Sequence, residues 1–483
     1  MKTPFSSTGC CGLKGFCRTL PHPSYRLPRA VILSLLILVA PLLSPAAWAQ
    51  LRAPQSVAKS AARTAAQRAD VKAELREAVA LLQAGRLDEA EPIIRRAVLA
   101  SPQDADAHGL LGVVLDQRGK IAEAEREYRT ALRINPNALS ALTNLGVLLA
   151  RTGRSDEAIK TFESVLRLAP DEPEATLNLG LQYLARGDHA RAATMLGRAI
   201  ARGLDTYAAR YSLGVALYNL KRFDEAAETF ELAAKLTASA EPLYYLGLIE
   251  QQRGHDQTAV DLWEKARNLR PNFPEVNFML GEMHLRFQRI EAAKEAYERA
   301  LQQDPSNPVY YARLGGIDIL RGAFEQALDV FRRGAQRFPE NTDMHYFVAL
   351  AARGTGNYDL AQSALRQALS IQADHVDALA LLGAISADRG DFLEGEKYLR
   401  RAIALNDKHF NAHYDLGRLL IRTQRYADAL PLLQSATALN PRNPDVHYQL
   451  FIALSRLKRK AEADRELAIY KQLTADAKPA KTN

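Results

Sequence analysis

The chain has 483 residues, beyond the size at which one hydrophobic core usually stops growing, so several domains or a repeat array is expected. Its formal net charge is +8, and its three cysteines, Cys10, Cys11 and Cys17, all lie near the start. Residues 1–49 hold five Lys or Arg and no acid, so removing them leaves a surplus of three positive charges, too mild to argue for nucleic acid. It also leaves a chain with no disulfide and no thiolate for a metal.

In chain order, Arg26 and Arg29 precede an apolar run, Ala30 to Ala40, that Pro41 breaks; Ala47 and Ala49 then frame a small-x-small cleavage pattern. Residues 1–49 are expected to be a secretory signal peptide cut after Ala49, which implies a periplasmic or secreted product. The run falls short of the roughly twenty residues that span a bilayer, so no integral membrane segment is expected in the mature chain; the alternative is an inner-membrane anchor formed by residues 30–43. Residues 50–70 form an Ala/Arg-rich lead.

From residue 71 the chain repeats itself. Gly112, Gly146, Gly180, Gly214, Gly247, Gly281, Gly315, Gly383 and Gly417 fall in one phase, 34 residues apart with a single step of 33, and Ala349 holds the skipped place. Ala78 and Phe451 extend the phase outward. This gives twelve units over 71–477, starting at 71, 105, 139, 173, 207, 240, 274, 308, 342, 376, 410 and 444, and a frayed tail at 478–483.

Twelve residues after each phase position stands a small residue such as Ala124 or Ala226. Four further on comes a large apolar one such as Tyr128, Phe230 or Trp263, and three beyond that usually another alanine. Spacings of four and three put these residues on one helix face, where the small ones admit a neighbouring backbone. Eight units carry a second glycine, such as Gly119 or Gly153, where a helix-to-helix turn wants a left-handed residue, and seven close with a proline such as Pro136.

Phase residue, alanine, large residue, alanine and closing proline at these offsets resemble the tetratricopeptide repeat. The resemblance implies an all-α fold, a right-handed α-solenoid of helix-turn-helix repeats whose neighbours complete each other's core. Where that family often has tryptophan, this chain has His108, His345, His413 and His447, which are read as packing residues.

No catalytic or cofactor motif emerges. The segment Gly354 to Asp359 lacks the third glycine and the Lys-Ser/Thr ending of a phosphate loop. His409 and His413 lie four apart without a third metal ligand. Acidic residues recur six places before the phase position, among them Asp343 and Asp377, and are read as first-turn carboxylates that complement helix dipoles. No enzyme activity, cofactor or metal is expected.

The resemblance then implies a scaffold that binds protein or peptide partners in the concave groove lined by the first helix of each unit. The alternative is a structural component of an envelope polysaccharide synthesis or export machine. Candidate groove residues are Tyr211, Tyr244 and Phe278, three places before the phase glycine, with Tyr218 and Tyr245 beside them on the same helices. Arg286 and Arg313 are candidates to pair with acidic groups of a partner, and Asn144 and Asn178 occupy the family's asparagine place. The companion lysine place holds Gly109, Thr143, Leu177 and Tyr211 instead, which speaks against capture of a chaperone tail.

Overall fold

The computed structural model describes residues 70–476, so the expected signal peptide, most of the lead and the tail lie outside the described residues. The chain divides after Arg270 into two compact units. The N-terminal unit holds α1 (70–83), α2 (Leu87–Ala100), α3 (Ala105–Gln117), α4 (Ile121–Ile134), α5 (Leu139–Arg151), α6 (Ser155–Leu168), α7 (Pro173–Ala185), α8 (His189–Ala201), α9 (Tyr207–Asn219), α10 (Phe223–Leu236), α11 (Ala240–Gln252) and α12 (Asp256–Leu269). The C-terminal unit holds α13 (Pro274–Arg286), α14 (Ile290–Gln303), α15 (Pro308–Leu320), α16 (Phe324–Arg337), α17 (Thr342–Gly354), α18 (Tyr358–Ile371), α19 (Val376–Asp388), α20 (Phe392–Leu405), α21 (Phe410–Arg422), α22 (Tyr426–Leu439), α23 (Pro444–Arg456) and α24 (Lys460–Asp476). Among the described residues there is no strand, and the architecture in each unit is that of an α-solenoid.

The phase residue explains how each odd-numbered helix meets the even-numbered one that follows it. An added Cβ on Gly214 would sit 2.6 Å from the ring of Phe230, one on Gly146 2.7 Å from Phe162, and one on Gly281 2.5 Å from Tyr297. The ring of the second helix therefore lies flat on the bare backbone of the first, and these large residues are fully buried. Where the phase residue is alanine, at Ala78 and Ala349, the residue sixteen places on is the aliphatic Ile94 or Leu365. Phe451 inverts the pairing: it is half-buried, and its counterpart Leu467 is half-buried too, on α24, where only Ala463 is buried.

The turn glycines adopt the left-handed backbone expected of them, φ +73° at Gly119 and +79° at Gly153. In four units without the glycine the same place is taken by Lys221, Gln288, Gln424 and Lys458, all near φ +60°. The four phase-related histidines are structural. His108, His345, His413 and His447 each direct Nε2 to the carbonyl six residues earlier, at 3.2, 2.8, 2.8 and 3.0 Å, tying the start of one helix pair to the end of the pair before.

Ion pairs at the turns follow a two-unit rhythm. Arg118 pairs with Asp88, Arg186 with Asp156, Arg253 with Asp224, Arg321 with Glu291 and Arg389 with Asp359, each arginine in an even unit and each acid in the odd unit before it.

Candidate functional site

In the N-terminal unit the expected groove aromatics are packing residues. Tyr211 and Tyr244 are 3% exposed and Tyr245 is 7% exposed. Tyr245 stacks on Phe230 with ring centroids 4.9 Å apart and meets Tyr211 edge-on at 6.1 Å, so α9, α10 and α11 are joined by one aromatic cluster. Burial pushes the Tyr211 hydroxyl far above the ordinary tyrosine range. Rings enclosed this way have no face left for a ligand, and the expectation that Tyr211, Tyr244 and Tyr245 line an open groove is corrected accordingly. The physical reason is the glycine at 214: it draws Phe230 against α9, and the tyrosines fill the space around it.

Tyr218 is half-buried, edge-on to Tyr245 at 5.3 Å and to Phe223 at 5.6 Å. Asn144 and Asn178 are half-buried, and the Asn178 amide donates to the Glu174 carbonyl of its own helix at 3.0 Å.

In the C-terminal unit Phe278 is half-buried between Tyr297 and Tyr310, at 5.8 and 5.3 Å. Arg313 donates to both carboxylate oxygens of Glu282, at 2.7 and 3.3 Å, and Glu282 also accepts from the Tyr297 hydroxyl at 2.5 Å. Arg286 is exposed at the end of α13.

A larger constellation lies further along, on the first helices α17, α19 and α21. The carboxylate of Asp388 at the end of α19 is met from both sides: Arg418 of α21 lies at 3.0 Å, Arg422 of α21 at 3.5 Å and Arg353 of α17 at 3.7 Å. Arg418 also reaches Asp415 at 3.2 Å, and Arg422 donates to the Ala387 carbonyl at 2.8 Å while its guanidinium sits 5.0 Å over the Phe392 ring. Burial holds the Asp415 carboxyl above the usual range, against the pull of Arg418 and Arg353. Tyr346 and Tyr414 flank the cluster; burial raises both phenols, that of Tyr414 to about 12.

The opposite ends of these helices carry a second ladder. His375 and His409 act as N-caps, their Nδ1 accepting from the backbone N–H of Ala378 at 3.1 Å and Ala412 at 3.0 Å. Their Nε2 atoms face Asp343 at 3.0 Å and Asp377 at 2.9 Å, the first-turn acids of α17 and α19, each one first helix before the helix that the histidine caps. The His409 hydrogen bond outweighs burial and lowers the Asp377 pKa. For His375 burial pulls downward, and the hydrogen bond and charge of Asp343 outweigh it, so its pKa is raised. These two acids therefore hold neighbouring units together in addition to complementing a dipole.

Sequence reasoning passed over Arg353, Asp388, Arg418 and Arg422. A signal was present: Asp388 and Arg422 occupy the same place, five after the phase glycine, with opposite charge in adjacent units, and His375 and His409 stand 34 apart with their acids. Among the described residues no group of three or more His, Cys, Asp or Glu is placed to hold a metal ion, and no helix is long and apolar enough to cross a membrane.

Comparison with known proteins bears on the repeat itself. A tetratricopeptide repeat model matches residues 75–138, 110–173 and 177–241, and a model described as the C-terminal domain of cilia and flagella-associated protein 70 matches residues 247–482. Comparison with curated proteins gives no match. Among solved structures, PilF of Pseudomonas aeruginosa is 22% identical, with 46% of this chain and 99% of that one covered and a TM-score of 0.40. Yeast Tom70 is 14% identical, covering 82% and 97% at 0.37, and the APC/C hetero-tetramer Cut9–Hcn1 is 12% identical, covering 82% and 92% at 0.43. With the repeat model matched in consecutive windows and its small and large places packed helix against helix, the chain belongs to the tetratricopeptide repeat family.

Proposed function

We propose that this protein is a non-catalytic interaction scaffold of the bacterial envelope, exported by residues 1–49, cut after Ala49 and built of twelve repeats between residues 71 and 477. A tetratricopeptide array generally serves as a protein-interaction scaffold, and that supports the reading. The observation that carries it is the convergence of Tyr346, Arg353, Asp388, Tyr414, Arg418 and Arg422 from three successive first helices: one polar and aromatic face assembled from separate repeats. An extended partner crossing such a face meets a new set of side chains in every unit, which is how a repeat array builds a long recognition surface.

In this reading Asn144, Asn178 and Tyr218 lie on the partner face of the N-terminal unit, and Phe278, Arg286 and Arg313 on that of the C-terminal unit. Tyr211, Tyr244 and Tyr245 stiffen the helices from beneath. The test is affinity capture from envelope extract with the chain beginning at Gln50, together with intact mass of the native protein. A scaffold retains a reproducible set of proteins, and the native mass begins at Gln50. Retention of nothing would contradict the scaffold, and a mass that includes residues 1–49 would contradict cleavage.

A further inference from the structure

We infer that the arginine cluster on α17, α19 and α21 is an oxyanion-recognition site that takes acidic side chains of an extended peptide; this rests on the scaffold reading above. Charge balance points to it. Further back on the first helices an arginine can have a carboxylate to itself, as Arg151 has Asp116 and Arg313 has Glu282. Here three guanidiniums converge on the one carboxylate of Asp388, and only Arg418 has a second carboxylate partner, Asp415. The first-turn acids of the same helices lie at their opposite ends and are paired there, Asp343 with His375 and Asp377 with His409.

Geometry agrees with the charge. Arg353 stands 3.7 Å from Asp388, beyond hydrogen-bond reach, and its side chain is 33% exposed; that of Arg422 is 40% exposed. Arg422 is held in place by the Ala387 carbonyl and the Phe392 ring, so its planar fork is oriented before anything binds. A guanidinium fork pre-set in this way suits a carboxylate, which accepts two parallel N–H bonds. Asp388 is then an internal placeholder, a carboxylate that holds the arginines together and competes with the incoming one.

The probe is a fluorescein-labelled twelve-residue peptide of alternating Glu and Ala, with a Lys-Ala peptide as control. Anisotropy is read at an ionic strength of about 0.02 M, where the screening length is on the order of 20 Å. The Glu-Ala peptide binds and the Lys-Ala peptide does not. The double variant Arg353→Gln with Arg422→Gln loses roughly tenfold in affinity, as expected when charge-assisted contacts are removed. Asp388→Asn binds more tightly, because the competing carboxylate is gone; a purely structural cluster would not produce a gain. Circular dichroism establishes that each variant keeps its helicity. Equal affinity of wild type and the double variant overturns the site. So does full competition by inorganic phosphate at the concentration of the peptide sites, which would reassign it to a small anion. If the wild type binds no acidic peptide while photo-crosslinking from position 456 of α23 still captures a protein, the acidic assignment fails and the scaffold stands.

Discussion

Gly247→Ala isolates the glycine-backed contact that nine of the helix pairs share. Trp263 is fully buried, its Nε1–H donates to the Tyr244 carbonyl at 3.0 Å, and a Cβ on residue 247 would lie 2.6 Å from its Cε2 and 2.7 Å from its Cδ1. No real Cβ approaches that closely, so either the indole leaves its hydrogen bond or α11 and α12 separate. Overpacking of this kind costs about 1–3 kcal/mol. The same substitution gains about 1 kcal/mol of helix propensity, so the net loss is about 0–2 kcal/mol. Gly197→Ala supplies the reference, because it lies within α8 and a Cβ there meets nothing within 4 Å. It should stabilise by about 0.5–1 kcal/mol. The difference between the two variants cancels the propensity and leaves the packing cost. Urea denaturation followed by circular dichroism and by Trp263 emission measures it, since in the chain from Gln50 that residue is the sole tryptophan. If Gly247→Ala raised the midpoint as much as Gly197→Ala, the close approach would be wrong.

Ala226→Leu, at a fully buried small place, should lower the midpoint by about 1–3 kcal/mol, and an unchanged midpoint would contradict the packing of α9 on α10. Lys221 sits at φ +60°, a backbone region that costs a side-chain-bearing residue about 1–2 kcal/mol, so Lys221→Gly should stabilise the chain; a loss in thermal scans would show that the turn tolerates lysine without strain. The folded Asp377 carboxyl lies below its ordinary value of 3.8, so its contribution to stability is present above that value and is lost as pH falls through the depressed one. The stability difference between wild type and Asp377→Asn should therefore exist at neutral pH and vanish in acid, and a difference constant across the titration would refute the pairing with His409.

Repeat phase was legible because one physical demand recurs in most units: a large apolar side chain must find bare backbone, so Gly214 with Phe230 and Gly281 with Tyr297 mark the period without any knowledge of the fold. The first helices from α3 to α23 begin at residues 105, 139, 173, 207, 240, 274, 308, 342, 376, 410 and 444. What a superposition of units conceals is what differs between them. Treating all units as equivalent hid the alternation that joins Arg118 to Asp88 and Arg186 to Asp156, while the junctions between use other pairs such as Arg154 with Glu125. The same habit read Asp377 as a dipole partner alone, when its other partner, His409, caps the first helix of the next unit. Tyr211 and Tyr244 were misjudged because a position that faces a groove in one repeat is enclosed in another when the adjoining rings are large. The Asp388 cluster depends on side chains reaching across three helices, from residues 353 to 422, and shows in the sequence only when the charges at one place of adjacent units are compared.

If partners bind the first-helix face, site-specific photo-crosslinking will find them there and not on the second helices. A benzophenone side chain placed at Arg456, exposed on the first helix α23, should form a covalent adduct with a protein of the envelope extract. The same group at Arg401, exposed on the second helix α20, should form none. Adducts from position 401 with none from position 456 would place recognition on the opposite face and contradict the account.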